Sequence, residues 1–150
     1  MTQNLKDFLT GAANKEFATK NGTKMHTALQ GVVIDKSGNH GDDELIEIIA
    51  TRPDLVRFFN KNAKTEVPIA GFINGRFISR RLDRLIINHD TKNIDFIDYK
   101  TDTDKTTFVE KYKKQLNEYR ELLQSAYPEY QINGYILWTC DWELNKIIDK

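Results

Sequence analysis

The stretch Arg81-Leu82-Asp83-Arg84-Leu85-Ile86-Ile87-Asn88-His89-Asp90-Thr91-Lys92-Asn93-Ile94-Asp95-Phe96-Ile97-Asp98-Tyr99-Lys100-Thr101 decides the fold. It reads as two strands, 81–87 and 94–101, around a polar turn at 88–93. A hairpin centred between Asp90 and Thr91 sets Asp83 opposite Asp98, and strand alternation brings Lys100 out on the face of Asp98. Directly facing Cβ atoms lie about 4.5–5.5 Å apart, and like charges so placed destabilise a sheet. A divalent cation between the two carboxylates is the simplest reason for such a pair. In the same register Leu85, Ile87, Ile94 and Phe96 share the acidic face, while Leu82, Ile86, Ile97 and Tyr99 occupy the other. Apolar residues on both faces predict a strand pair in the middle of a sheet covered on each side, with the carboxylates at its rim.

Outward from this hairpin the pattern continues. Glu66 to Ile73 reads as a preceding strand, near an edge because Pro68 cannot donate to a ladder. Asn74-Gly75 is a hairpin turn signal leading into the strand from Phe77 to Ile87. On the other side, Thr106 to Ser125 repeats apolar residues every three or four positions (Phe108, Val109, Tyr112, Leu116, Tyr119, Leu122, Leu123), and Pro128 ends the helix. Tyr130 to Thr139 is rich in β-formers and predicts a last strand, returned by the helix parallel to the third one. Before the strands, Leu5 to Phe17 is a weak helical lead-in. Thr23 is a candidate cap for a helix carrying Met25, Leu29, Val32 and Val33. Glu44 to Ile49 and the turn opened by Pro53 (Leu55, Phe58, Phe59) are helical again. The order predicts an α/β fold: a three-layer-like sandwich with a central mixed β-sheet flanked by helices.

The chain has 150 residues, the size of a single domain spanning 1–150, with 1–20 as the possible lead-in. Basic and acidic residues balance at 22 each, so net charge argues neither for nor against a nucleic-acid partner. One cysteine, Cys140, excludes an intramolecular disulfide and any four-cysteine cluster. The N-terminus lacks the apolar run of a signal peptide, and no stretch approaches a membrane span; a cytoplasmic protein is expected.

Asp83, with Asp98 and Lys100 on the adjacent strand, has what phosphodiester hydrolysis needs. Hard carboxylate oxygens suit Mg²⁺, with Mn²⁺ as a substitute, and the main-chain carbonyl of Tyr99 could complete the shell. The metal polarises a phosphoryl group and acidifies water. Lys100 could orient or deprotonate that water and offset phosphate charge. Alone, an Asp-x-Lys is a weak signal in a chain this charged; the facing Asp83 is what makes it specific.

The ordered motifs resemble the PD-(D/E)XK nuclease superfamily, and within it the C-terminal nuclease domain of AddA and RecB helicase-nucleases. Gly22-Thr23-Lys24-Met25-His26 resembles a Gly-Thr-x-x-His helix, Ala63 to Gly71 the strand before the first catalytic Asp, and Arg81-Leu82-Asp83-Arg84-Leu85 a Gly-x-Ile-Asp-Arg-Leu stretch. Asp98-Tyr99-Lys100-Thr101 matches an Asp-Tyr-Lys-Thr motif. Gln115 with Tyr119 resembles a Gln-x-x-x-Tyr helix, and Ile136-Leu137-Trp138-Thr139 a closing strand. The resemblance covers most of the chain and implies a restriction-endonuclease-like core. It implies Asp83, Asp98 and His26 as metal ligands, and Lys100 as the catalytic lysine. Gln115 and Tyr119 would line the DNA cleft, joined by Arg84 and Thr101 beside the substrate. Glu66 corresponds to a residue that is either an active-site carboxylate or a structural one. Arg80 and Arg81 depart from the small residue and glycine of the pattern, and Asp141-Trp142-Glu143 from a turn that commonly contains glycine.

The implied activity is Mg²⁺-dependent hydrolysis of DNA at ends or on single strands, in double-strand-break processing. No phosphate-binding loop occurs, so ATP is not expected and a motor would belong to a separate helicase subunit; with a single cysteine no iron–sulfur cluster is expected either. Two other readings remain open: a DNA-binding module with weak catalysis that docks on such a subunit, and a stand-alone endonuclease. Residue by residue there are plainer roles. His26 could be a structural histidine, Glu66 an exposed strand end, and Tyr112 and Tyr119 core. Arg80, Arg81, Arg84, Lys111, Lys113 and Lys114 could be solvated charge, unless several line one cleft. His40 and His89 are expected to have no role.

Overall fold

The computed structural model of the protein describes residues 22–147, so the lead-in at 5–17 lies outside them. In chain order these residues form α1 (22–30), α2 (Asp43–Ala50), α3 (Pro53–Val56), β1 (Lys64–Ile73), β2 (Arg76–Asn88), β3 (Asn93–Lys100), α4 (Lys105–Ala126), β4 (Gln131–Trp138) and β5 (Glu143–Ile147). The strands make one sheet in the order β1-β2-β3-β4-β5. Neighbours are antiparallel except β3 and β4, which run parallel across the α4 crossover. The protein is therefore α/β with a mixed five-stranded sheet.

Local chemistry explains the boundaries. Asn74 (φ 52°) and Gly75 (φ 78°) supply the two left-handed positions that a tight two-residue hairpin needs. Asp104 caps α4 by accepting from the Thr107 N–H, and Asp42 caps α2 by accepting from the Leu45 N–H. Residue 22 is already helical, so Thr23 sits inside α1 rather than at its cap. The fifth strand was not foreseen. It follows a turn closed by Trp142 in the left-handed region (φ 61°), a conformation a tryptophan does not advertise.

The sheet has a core on each face. Towards α4 lie Leu85, Ile94, Phe96, Leu116, Tyr119, Leu123, Ile136 and Trp138. On the other face Leu29 and Val32 pack with Leu45, Ile49, Leu55, Phe58, Phe59, Ile97, Tyr99 and Leu137. Leu82 departs from its expected face, lying in the α4-side core with Leu85, three residues away. Strict alternation would separate them. On β1 the same shift occurs, because Lys64 faces Leu85 and Val67 faces Leu82 across the ladder. Between these pairs stand Asp83 and, on β1, Glu66 with φ at 50°. Both strands change face together there, and the pairing register is unchanged on either side.

Gly134 on β4 faces Phe96 across the parallel pair. A Cβ there would come 2.5 Å from Phe96 Cζ, and that ring is fully enclosed. Gly134→Ala should therefore destabilise the protein by about 1–3 kcal/mol, read as a lower midpoint in chemical denaturation with an unchanged slope.

Candidate functional site

The hairpin register holds: Leu85 faces Phe96 and Ile87 faces Ile94, with pairing ending at Arg84 and Ile97. One step further, Asp83 and Asp98 meet where the backbone ladder stops. The Asp83 side chain continues it, its Oδ2 accepting from the Tyr99 N–H at 2.8 Å. A carboxylate in place of a backbone carbonyl lets β2 diverge from β3, and the divergence opens the rim.

Asp98 is buried, 6% exposed. The Lys100 Nζ lies 2.7 Å from its Oδ2, but that oxygen has no aligned hydrogen-bond donor. The contact is thus an ion pair without the hydrogen bond that would satisfy the oxygen. Burial pushes the Asp98 carboxyl up to about 7, against the pull of Lys100 and with repulsion from Asp83 adding to the rise. Burial also acts to raise Asp83, but hydrogen bonds from His26 and the Tyr99 N–H help hold it below the usual carboxylate range. The two acids behave as a pair that readily keeps one proton.

Lys100 is fixed from three sides. Beyond Asp98, it donates to Gln115 Oε1 at 3.0 Å, and its ammonium sits 4.3 Å over the Tyr112 ring. Gln115 in turn donates from Nε2 to the Tyr119 hydroxyl at 2.7 Å. Burial, with the nearby Asp98 charge, pushes the Tyr119 hydroxyl up to about 12. Tyr112 donates to Asp102 at 2.6 Å. Residues 112, 115 and 119 share one face of α4, and that spacing was the signal that could have moved Tyr112 from core to site.

His26 approaches from α1. Its Nε2 is 3.4 Å from Asp83 Oδ2, its Nδ1 is 2.8 Å from the Gly22 carbonyl, and its ring meets Tyr99 edge-on. The hydrogen bond with Asp83 raises the imidazole to about 8, against burial. With Glu66, Arg81, Gln30 and Asp83 it lines an open cleft of about 680 Å³. Glu66 Oε2 stands 3.7 Å from Arg81 Nη1. Gln30 was not anticipated there, since nothing local marks a glutamine at a helix end. Thr101 packs at the Gly22 end of α1, where a Cβ on Gly22 would come within 3.3 Å of its hydroxyl.

The predicted residues therefore assemble in two groups joined at Asp83 and Asp98. Asp98, Lys100, Gln115 and Tyr119 stand on the α4 side. His26 and Glu66 stand on the α1 side, and Arg81, which could have been ordinary solvated charge, joins them there. Arg84 is the exception. Expected beside substrate, it is enclosed at 1% exposure. Its Nε donates to the Tyr99 hydroxyl and its Nη atoms to the carbonyls of Phe58 and Leu29, with the guanidinium stacked 4.2 Å over Phe59. It ties α1, the loop after α3 and the sheet together, and cannot reach a ligand. On α4, Lys111 and Lys114 are exposed and Lys113 pairs with Glu110 one turn away. Cys140 is exposed in the turn after β4. His89 Nδ1 lies 2.7 Å from the Tyr130 hydroxyl, far along the hairpin from this site.

Among the described residues no three His, Cys, Asp or Glu side chains converge closely enough to form a metal centre by themselves. Magnesium does not require that: it keeps several waters and is commonly held by one or two carboxylates plus substrate phosphates. The unsatisfied Asp98 Oδ2 next to a second carboxylate fits such an ion. His26 would have to lose its proton to join as a ligand.

Without metal, the raised groups set a pH dependence. Asp98 (ordinarily 3.8, here about 7) and His26 (ordinarily 6.5, here about 8) both bind protons more tightly folded than unfolded. Their contribution is complete below the unfolded values and disappears as pH rises through the folded ones. In EDTA the melting temperature should fall from pH 5 to pH 9, and Mg²⁺ should raise it most at the alkaline end; differential scanning calorimetry across that range is the check.

No helix of the described residues is long and apolar enough to cross a membrane. No protein-family model and no curated protein matches the chain.

Proposed function

We propose that the protein is a divalent-metal-dependent deoxyribonuclease of the PD-(D/E)XK kind, acting in the cytoplasm on DNA ends during double-strand-break processing. The observation that carries the reading is the buried Asp98 carboxylate, set against Asp83, with an unsatisfied oxygen and a lysine locked beside it. Two carboxylates forced together at low dielectric are stabilised by a cation more than by anything else at hand. Asp83 and Asp98 would hold the ion, with His26 and the Tyr99 carbonyl as further donors. Bound there, magnesium supplies Lewis-acid polarisation of phosphate and acidifies water.

The chain's own groups do the rest. Lys100, oriented by Gln115 and Tyr112, offers N–H donors and positive charge to the attacking water and the phosphoryl oxygens as negative charge develops. Tyr119 holds Gln115 in turn, which limits the side-chain freedom of the lysine. On the α1 side, Arg81 stands at the cleft to meet a phosphate of the strand. Glu66 balances that arginine and bounds the cleft.

The test is hydrolysis of linear duplex and single-stranded DNA with Mg²⁺ or Mn²⁺ by the wild type, Asp98→Ala and Lys100→Ala. Activity in the wild type, with losses of about 10²–10⁴-fold in the variants, is expected. Equal rates in all three would sink the reading.

A further inference from the structure

The tip of Lys100 makes a directional bond to Gln115 Oε1 at 3.0 Å, while its ion pair with Asp98 lacks an aligned donor. A hydrogen bond to one partner sets a distance and still lets the ammonium swing about it. The ring of Tyr112, with its centroid 4.3 Å from Nζ, bounds that swing. Where the ring stands therefore decides where the ammonium can point.

The ring is held at both ends. α4 supplies its stem, and Trp138 and Phe108 flank it with centroids 6.0 and 6.1 Å away. Its hydroxyl donates to Asp102 Oδ2 at 2.6 Å, the length of a charge-assisted bond. Asp102 lies in the loop between β3 and α4, just beyond Lys100 in the chain. Its carboxylate has no duty at the helix start, because Asp104 already caps α4. Packing alone would need no acceptor here, since a phenylalanine would serve the contacts with Trp138 and Phe108 equally well. Burial, with the Asp102 bond adding to the rise, holds the Tyr112 hydroxyl well above its ordinary value, so it stays a donor. A phenol that donates to a carboxylate also carries more negative charge on its ring faces, and negative ring faces are what attract a cation.

We propose that Asp102, acting through Tyr112, is a positioning residue for Lys100. The carboxylate pins the far edge of the ring, the ring closes one side of the ammonium, and Gln115 holds it from another. The loop after β3 thus braces the lysine that the end of β3 presents. The consequence for cleavage rests on the nuclease reading; the brace itself does not. Without the carboxylate, ring and ammonium gain freedom at the rim beside Asp98, while the open cleft on the α1 side keeps its lining. The loss therefore falls on kcat and spares KM.

The experiment uses the full chain and has two readouts. In EDTA, the ε-methylene signal of Lys100 is followed by NMR of protein labelled with ¹³C-lysine, and Lys100→Ala identifies it by the peak that disappears. Lying over an aromatic face, the signal should be shifted upfield in the wild type. It should move towards the position of an ordinary lysine in Asp102→Ala and in Tyr112→Leu. It should return in Asp102→Asn, whose amide oxygen still accepts from the phenol. In Mg²⁺, kcat on linear DNA should fall about 10–10²-fold in Asp102→Ala with KM within about twofold of wild type, and recover in Asp102→Asn. Asp102→Ala/Tyr112→Leu should be no slower than Tyr112→Leu alone, because the two residues act as one unit. Circular dichroism checks each fold; if Tyr112→Leu is unfolded, Tyr112→Phe, which keeps the ring and loses the bond, takes its place and should match Asp102→Ala. An unshifted Lys100 signal in the wild type, or one that stays in place in Asp102→Ala, overturns the inference, as do losses that add in the double variant. If the wild type cleaves and Asp102→Ala cleaves equally fast, the nuclease reading stands and the inference fails. If the wild type does not cleave while the Lys100 signal follows Asp102, the brace stands and the nuclease reading fails.

Discussion

Asp98→Asn should abolish DNA cleavage and at the same time make the metal-free protein harder to unfold. The two effects have one cause. Asp98 is enclosed beside Asp83, and burial disfavours its charged form strongly enough to push the carboxyl up to about 7. At pH 8 the folded protein must hold that charge where water cannot solvate it. The shift from an ordinary 3.8 corresponds to a penalty of a few kcal/mol, roughly 1.4 kcal/mol for each pH unit. Asparagine has the same shape and no charge. It gives up the ion pair with Lys100 but removes both the desolvation and the repulsion from Asp83. In EDTA at pH 8 its melting temperature should rise by about 5 °C, while cleavage in Mg²⁺ falls at least about 10²-fold. Calorimetry and a rate assay on the same preparation test both. A variant less stable than wild type would show that the Lys100 contact outweighs the burial of charge, and cleavage retained at the wild-type rate would show that the acid is structural.

The second large effect is at Arg84. Its guanidinium donates to a tyrosine hydroxyl and to carbonyls from α1 and from the loop after α3, and it rests on Phe59. Those carbonyls, near the ends of two short helices, have few other donors to turn to. Arg84→Ala removes the donors, leaves a cavity and strips support from Tyr99. A loss of about 3–5 kcal/mol is expected, a scale known for breaking buried charged networks, with a fall in melting temperature of about 10 °C or more. Arg84→Lys should recover only a small part, because one ammonium cannot replace a planar fork reaching three acceptors. Urea denaturation of the three proteins is the measurement. A loss below about 1 kcal/mol would mean that water replaces the guanidinium and that the residue is not a tie.

The contrast between these two residues shows where sequence reasoning ends. Asp98 was legible because its meaning is local. The turn at 88–93, strand alternation and the Asp-x-Lys spacing suffice to oppose it to Asp83 and align it with Lys100. The edge position of β1, the Asn74-Gly75 turn and the parallel return of β4 were readable for the same reason, each resting on a few consecutive residues. Arg84 was not legible, because its partners lie 26 and 55 residues away and are main-chain carbonyls, which have no sequence identity. Nor was the face change around Asp83, since a glutamate at position 66 gives no hint of a left-handed backbone. Leu82 was assigned to the wrong face as a direct result.

The amino-acid sequence by itself determined the order of the elements as far as β4, the register of the central hairpin and the meeting of two carboxylates with a lysine, because periodicity and turn chemistry act over short spans. Only the tertiary structure decided which side of the sheet each group reaches, that Arg84 is a buried tie, and that Asp102 meets the ring lying over Lys100. Those outcomes depend on which distant carbonyls, helices and strand ends come to surround a side chain, and on how much water is left beside it.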